Sequence, residues 1–368
     1  MDDAYRFFDQ ARTMADTKFK VPSHFYSYSF ALNPDWPRKY SMQPEIQAYF
    51  RAITDQYKIE PHIRFRSTVE TAEWQEATAT WHVTVKNHAT GQTYTLRARA
   101  LVSAVGSLSV PNACDIPGHE KFRGPLFHSA QWDNSFDWAG KDVVVVGNGC
   151  SATQFVPIMT GRGPHETTST SAAPTPNAVK SLTQFSRQAH FLAERENPPY
   201  SALFKACMRH VPLAMRAYRA KIYADMERDF AGFDVASGAP IRADLKTTNE
   251  AYVRKMAPER YWEHLLPRHE IGCKRKVLDT DYLACLWREN MELVPDDPIE
   301  GIEEHGVRTR SGRFVRADAI VRATGFQTHK LLFPMTIRGR DGVSLEEHVS
   351  QTQPLYSLAA IAASNLWE

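Results

Sequence analysis

The sequence contains no glycine before Gly91, although the 368-residue chain has 18 glycines in all. A phosphate-binding turn needs glycine where the backbone approaches a pyrophosphate, so no such turn is expected in residues 1–90. Cysteine is also scarce, because the five cysteines are scattered and show no CxxC spacing. This usage argues against a disulfide framework and against a zinc site, and it makes a reducing, cytoplasmic location the expectation.

Two further absences narrow the class of protein. The sequence has no apolar run of about 18 residues, so it predicts no membrane span. Residues 1–20 lack the apolar core of a signal peptide. The net charge is only +2, with 43% hydrophobic and 23% charged residues. Such a composition is typical of a soluble globular protein and does not indicate a nucleic-acid partner.

Hydrophobic periodicity predicts a mixed α/β chain. Residues 44–59 carry apolar side chains on one helical face, and alternating β-branched segments predict strands between residues 62 and 106. Residues 160–179 are rich in Thr, Ser and Pro, which predicts a loop. Residues 201–266 have a helical pattern, and strand-like segments follow them.

A GxGxxA turn is the first motif that carries chemistry. Four valines at 143–146 predict a buried strand, which leads into GNGCSA at 147–152 and then a predicted helix. Gly147 permits the tight turn, Gly149 lets a pyrophosphate approach, and Ala152 lets helix and strand pack closely. The helix start adds N–H groups and a positive dipole end. An ordinary glycine turn is the alternative, but strand, turn and helix together favour a dinucleotide site.

The residue after the next strand indicates which dinucleotide is bound. Residues 181–188 form the predicted second strand, which ends at Arg187 with no carboxylate nearby. NAD-binding folds place an acidic residue here for the ribose 2′-OH, whereas an arginine suits the 2′-phosphate of NADPH. The sequence therefore favours NADPH over NADH. A solvated surface arginine remains the alternative interpretation of Arg187.

A second motif lies just upstream of the turn. Residues 122–133 are FRGPLFHSAQWD, and their fixed positions are Phe122, Gly124, His128, Trp132 and Asp133. This FxGxxxHxxxWD string, placed before a GxGxxA turn, resembles the fingerprint of the Baeyer–Villiger monooxygenases within the flavin-containing monooxygenases. In that family the segment links the flavin and nicotinamide domains. For any one of these residues, a simple packing role is the alternative.

Other segments are similar to the same family. VPSHFYSYSF places Tyr26 where a flavin-contacting tyrosine is expected, and FSRQAHF places Arg187 at the family's NADPH-phosphate arginine. GCKR at 272–275 resembles a G-x-K-R segment of the family. The resemblance implies that Lys274 helps to hold the 2′-phosphate and that Arg275 lies over the flavin as the catalytic arginine.

The resemblance implies an FAD- and NADPH-dependent monooxygenase. Through a peroxyflavin, such an enzyme inserts one oxygen atom of O₂ into a ketone, and Arg275 would stabilise the anionic oxygen. The expected partners are O₂ and a small-molecule ketone, such as a cyclic or polyketide-derived secondary metabolite. Heteroatom oxidation and hydroxylation remain open as alternatives.

The implied fold is α/β and discontinuous. It combines a Rossmann-like NADPH-binding domain, which a helical insertion interrupts, with an incomplete FAD-binding domain of the two-dinucleotide-binding-domain flavoprotein type. The predicted boundaries are an FAD-domain remnant at 1–136, the NADPH-binding domain at 137–192 and 268–317, the helical insertion at 193–267, and a return to the FAD-domain remnant at 318–368.

The family's first GxGxxG has no counterpart here, since no glycine precedes Gly91. Lys20 also stands where the family has an aspartate that partners its active-site arginine. Three explanations stay open: a truncated gene model, a degenerate relative that acts as a nucleotide-binding or accessory protein, or a role in a flavin-independent step.

Overall fold

The structure is a computed structural model that describes residues 21–105, 108–161, 177–271, 276–328 and 332–351. The described residues group into two compact units. The smaller unit contains the described residues of Pro61–Asn112 and those from Phe326 onward. The larger unit contains Ala113–Gly325 and the described part of Arg6–Glu60. The five-part division expected from the sequence stays a prediction.

Helices and strands are interspersed along the described residues. The helices are α1 (Ser23–Tyr26), α2 (Gln43–Gln56), α3 (Ala152–Met159), α4 (Ala202–His210), α5 (Ala214–Phe230), α6 (Ala239–Met256), α7 (Trp262–Leu265), α8 (Tyr282–Cys285) and α9 (Leu345–Gln351). The strands are β1 (Ser67–Gln75), β2 (Thr80–Asn87), β3 (Thr93–Ala98), β4 (Leu126–His128), β5 (Asp142–Val146), β6 (Ser181–Phe185), β7 (Leu192–Ala193), β8 (Val277–Leu278), β9 (Met291–Val294), β10 (Ile299–Glu303), β11 (Gly306–Thr309), β12 (Phe314–Arg316), β13 (Ala319–Arg322) and β14 (Thr336–Arg338). This mixed α/β pattern confirms the predicted fold class.

A parallel sheet forms the centre of the larger unit. Its five strands lie in the order β4-β13-β5-β6-β9, and every neighbouring pair is parallel. The valine run of β5 is buried on both faces of this sheet. Val143 and Val145 pack into a core with helices α3 and α8, whereas Val144 packs into a second core with β11 and β12. Burial of both faces explains why the strand is a continuous apolar run.

The smaller unit contains a different kind of sheet. Strands β1, β2 and β3 are antiparallel neighbours, and β14 adds to β1 in parallel. Val83 and Val85 of β2 are buried while the residues between and beside them are more accessible. Gly91 lies in the connection from β2 to β3 with a φ of +72°, a conformation that favours glycine.

The helical predictions are also confirmed where the structure describes them. Helix α2 buries Ile46, Tyr49 and Ile53 along one face. Helices α4 to α7 occupy the region expected to be helical. Residues 1–20 and most of the predicted loop at 160–179 lie outside the described residues. Across the described part of the chain, we find no helix with the length and apolar character that a membrane crossing requires.

Candidate dinucleotide-binding site

The turn after β5 has a shape that only glycine allows. Gly147 has a φ of +106°, in the left-handed region that side chains disfavour. A Cβ on Gly147 would lie 2.5 Å from the carbonyl oxygen of Ala323, which is far inside van der Waals contact. Both constraints act at once, so the sequence motif correctly identified a position with a strict backbone requirement.

The backbone beyond this turn is open to a ligand. A Cβ placed on Gly149 would meet no atom of the described residues within 4 Å, so among them the main chain is bordered by free space. In the described part of the chain, no acceptor is bonded to the backbone N–H of Asn148 or Gly149. Ala152 is fully buried where α3 begins, packed in the same core as Val143. Open space, available N–H groups and a helix start fit a pyrophosphate.

The predicted second strand lies directly beside the turn. Strand β6 pairs with β5 in parallel, so both carboxyl ends open at one edge of the sheet. The Gly147 N–H donates to the Phe185 carbonyl at 2.9 Å. The Asn148 Nδ2 donates to the Gln188 carbonyl at 2.8 Å. These bonds bring the segment with Arg187 to the turn, and the Arg187 side chain is exposed there.

A buried amide behind the turn was missed by the sequence analysis. The Nε2 of Gln184 donates to the Gly147 carbonyl at 2.8 Å, and its Oε1 accepts from the Tyr282 hydroxyl at 2.8 Å. Gln184 is 0% exposed in the middle of the sheet. The available signal was an amide side chain inside a strand predicted to be buried, since an amide there must find partners.

The upstream motif begins with a close packing of backbones. A Cβ on Gly124 would lie 2.3 Å from the Asp318 carbonyl oxygen, just before β13. The Phe122 ring borders the same position and packs against the core that contains Val144. These two motif residues therefore fit the joining of β4 to β13, and no ligand is needed to explain them.

Trp132 packs against the helix that follows the dinucleotide turn. Its ring centroid lies 5.2 Å from that of Phe127 and 5.3 Å from that of Phe155 in α3. Asp133 accepts from the hydroxyl and the N–H of Ser135, and these hydrogen bonds lower the pKa of its carboxyl group. The packing interpretation thus accounts for the contacts of both residues. The coupling of two domains by this motif stays a prediction.

His128 ends β4 in the interior of the larger unit. It is 1% exposed, its Nδ1 accepts from the Ala130 N–H at 3.1 Å, and Arg322 is its partner in the sheet register. Burial, reinforced by the charge of Arg322, lowers the pKa of His128 to about 4. The imidazole is therefore neutral at neutral pH.

The remaining predicted residues do not join this site within the described structure. Tyr26 ends α1 and packs against the cluster of Trp36 and Tyr49. Burial raises the pKa of Tyr26 to about 12, so its hydroxyl keeps its proton. Lys274 and Arg275 lie outside the described residues, as does the whole of 272–275.

A cavity lies beside the helices of the larger unit, away from the glycine turn in sequence. It has a volume of about 540 Å³ and is lined by Ser29, Phe30, Leu32, Arg216 and Arg219. Arg219 donates to the carbonyls of His24 and Ser27, which fixes α5 against α1. The sequence analysis did not identify these lining residues.

The parallel sheet and the glycine turn are features typical of dinucleotide-binding α/β proteins, and comparisons with known proteins narrow this class. Residues 20–162 match the family model described as flavin-binding monooxygenase-like. The chain is 32% identical over 338 residues to a Baeyer–Villiger monooxygenase of Streptomyces coelicolor. It is 32% identical over 342 residues to the FAD-binding monooxygenase ktnD of Aspergillus niger. Each match covers 89% of this chain. The chain is thus related to the Baeyer–Villiger and FAD-binding monooxygenases over most of its length, which confirms the family resemblance.

Solved structures agree with this relationship. The chain aligns with an oxidized steroid monooxygenase bound to NADP at a TM-score of 0.73 and 28% identity, covering 91% of this chain and 68% of that one. A closed cyclohexanone monooxygenase gives a TM-score of 0.74 at 24% identity, covering 92% of this chain and 67% of that one. The latter likeness shows the fold alone. The chain spans only 58% and 52% of the Streptomyces and Aspergillus relatives.

Proposed function

We propose that this chain works in an FAD- and NADPH-dependent monooxygenase of the Baeyer–Villiger type. The observation that carries the proposal is the glycine turn at 147–152. Among the described residues, none fills the space beside Gly149 and none accepts from the N–H groups of Asn148 and Gly149. The turn fits the pyrophosphate of NADPH. The relatives named above, one of them solved with NADP bound, supply the reaction class.

Arg187 is the proposed ligand for the 2′-phosphate of NADPH. It follows β6 at the sheet edge beside the turn, and its side chain is exposed and able to reach a ligand. A guanidinium binds a phosphate through paired, charge-assisted hydrogen bonds. We further propose that Lys274 assists at this phosphate and that Arg275 is the catalytic arginine, both by resemblance.

The described residues fit FAD less well than NADPH. Within them, a strand that leads through a glycine turn into a helix occurs at Gly147 and nowhere else. The described residues by themselves therefore do not define an FAD site. We propose Tyr26 as a flavin contact by resemblance alone. The flavin, when bound, supplies the redox and oxygen chemistry.

The proposed substrates are O₂ and a small-molecule ketone of cyclic or polyketide-derived character. The cavity of about 540 Å³ between α5 and the segment after α1 is the proposed place for such a molecule in the described chain. Its volume suits a small organic ligand. A cytoplasmic location stays a prediction. The four cysteines within the described residues form no disulfide.

Titration of purified protein with NADPH and with NADH tests the dinucleotide site. We expect NADPH to bind more tightly, and Arg187→Ala to weaken NADPH binding about tenfold while leaving NADH binding unchanged. Arg97→Ala removes an exposed arginine from β3 and serves as the control. Equal binding of both dinucleotides would contradict the assignment of Arg187, and binding of neither would contradict the site itself.

A second candidate function is nucleotide binding without redox activity. It is supported by the glycine turn at 147–152, which fits a dinucleotide without requiring a flavin. Titration of the same protein with FAD separates the two proposals. A monooxygenase is expected to retain a yellow flavin absorbing at about 450 nm and to consume NADPH with a ketone. Protein that binds NADPH yet stays colourless after FAD titration would favour the second candidate.

A further inference from the structure

Gln184 joins the dinucleotide turn to helix α8, which packs in the same core as α3. Its amide spans from the Gly147 carbonyl to the Tyr282 hydroxyl, with 2.8 Å at each end. A carbonyl oxygen can only accept, so the NH₂ group must face Gly147 and the amide oxygen must face Tyr282. The orientation of the side chain is therefore fixed by its partners.

The Tyr282 end of this connection is firmly held. The Tyr282 N–H donates to Asp279 Oδ1 at 2.7 Å, and the Tyr252 hydroxyl donates to Asp279 Oδ2 at 2.9 Å. The Thr280 hydroxyl donates to the Thr153 carbonyl in α3 at 2.6 Å. Residues 279–282 are thus fastened to α6 and to α3 at once. Tyr282 is a rigid partner, buried at 1% exposure.

The Gly147 end determines how the next peptide group is oriented. The Gly147 N–H is bonded to Phe185 and the Gly147 carbonyl to Gln184, so both polar groups of this residue are used by β6. In a planar trans peptide the carbonyl of one residue and the N–H of the next point in opposite directions. Since the Gly147 carbonyl points at Gln184, the Asn148 N–H must point away from it, toward the open side of the turn.

We propose that Gln184 is a positioning residue for the dinucleotide turn. By holding the Gly147 carbonyl against the sheet, it orients the Asn148 N–H toward the phosphate of a bound dinucleotide. This inference rests on the proposed function, because it takes NADPH as the ligand of the turn. The side chain touches the turn and Tyr282 but lies too deep in the sheet to touch the ligand itself.

Two substitutions test this role. Gln184→Met keeps the length of the side chain and leaves the Gly147 carbonyl without its donor. It is expected to weaken NADPH binding about tenfold, since a buried polar group loses its partner. Gln184→Glu can donate to Gly147 only when its carboxyl group is protonated, and burial favours the protonated form. NADPH binding by Gln184→Glu is therefore expected to strengthen as the pH falls, relative to the unmodified protein.

Asn290 provides a matched control at the other end of α3. It is a buried amide that donates to the Thr160 and Val179 carbonyls at 3.3 and 3.0 Å, and it has no bond to the turn. Asn290→Leu and Asn290→Asp are expected to lower stability without changing NADPH affinity or its pH dependence. Affinity is measured by fluorescence titration below the thermal transition of every variant.

Hydrogen exchange of the turn amides gives a readout that needs no ligand. The Gly147 amide, whose N–H is bonded to the Phe185 carbonyl, is expected to exchange about tenfold faster in Gln184→Met than in Asn290→Leu, because the turn loses a fixed bond. Unchanged exchange and unchanged NADPH affinity in Gln184→Met would overturn the inference, as would an equal loss of affinity in the Asn290 variants. Failure of the unmodified protein to bind NADPH, with faster exchange in Gln184→Met, would instead contradict the proposed function.

Discussion

The two sheets of this protein differ in burial and in what their edges offer. The parallel sheet of the larger unit is covered on both faces, and its central strand β5 is buried from Asp142 to Val145. The sheet of the smaller unit is largely antiparallel, and β3 alternates between exposed and partly buried residues. Each hydrophobic pattern therefore follows from how many faces the sheet buries.

The same difference explains where the candidate chemistry lies. Adjacent parallel strands end at one edge, so β5 and β6 deliver the glycine turn and the Arg187 segment to the same place. Antiparallel neighbours end at opposite edges, and the turn at Gly91 simply returns the chain to the next strand. Two glycines with positive φ thus serve different purposes in the two units.

Substituting alanine for Gly147 and for Gly91 is expected to give the largest difference in stability between the two units. Gly147→Ala should lower the free energy of unfolding by about 4 kcal/mol, from backbone strain together with overlap against the Ala323 carbonyl. Gly91→Ala should cost about 1 kcal/mol, since no atom lies within 4 Å of its added Cβ. Urea unfolding monitored by circular dichroism measures both. Equal losses of unfolding free energy in the two variants would contradict the close contact between a Cβ at Gly147 and the Ala323 carbonyl.

Tryptophan truncation extends the contrast to packing. Trp132→Ala removes ring contacts to Phe127, Trp138 and Phe155, and should cost about 3 kcal/mol. Trp81→Ala removes the ring contact between β2 and Trp74 of β1, and should cost about 1 kcal/mol. The comparison is made by urea unfolding at neutral pH. A Trp132 variant as stable as the Trp81 variant would contradict the core role of the FxGxxxHxxxWD motif.

Buried histidines give the larger unit a pH dependence. The pKa of His128 is lowered to about 4 in the folded state, below the ordinary value of 6.5, so the unfolded chain binds the proton more readily. Stability from this residue is present above pH 6.5 and is lost as the pH falls toward 4, by about 2 kcal/mol at pH 5. His128→Gln cannot titrate and should lose less stability over this range.

His24 offers an independent check on this effect. Burial, with a contribution from Arg219, lowers its pKa to about 4 as well. The double variant His24→Gln, His128→Gln is therefore compared with each single variant from pH 7 to pH 4. Its free energy of unfolding should change less with pH than that of either single variant. A single His128 variant with the unmodified slope would show that this imidazole is accessible to protons in the folded state.

The strands and helices with strong periodicity were predictable because the pattern reports directly on burial. The valine strand, the helix with Ile46 and Ile53 on one face, and the GxGxxA turn are all found at the expected places. The partners across the fold were not predictable. Trp132 meets Phe155, and Gln184 meets Tyr282, through contacts between segments that are far apart in sequence.

The sequence by itself determined the α/β class, the family relationship and the glycine turn, because each depends on residues close together in the chain. Local spacing fixes which backbone conformations and helix faces are available. Tertiary structure alone decided which groups surround the turn, since only the parallel pairing of β5 with β6 sets Gln184 behind Gly147 and brings Arg187 to the same edge. Hydrogen-bond partners of a buried amide are chosen by the fold, and no local pattern in the chain records them.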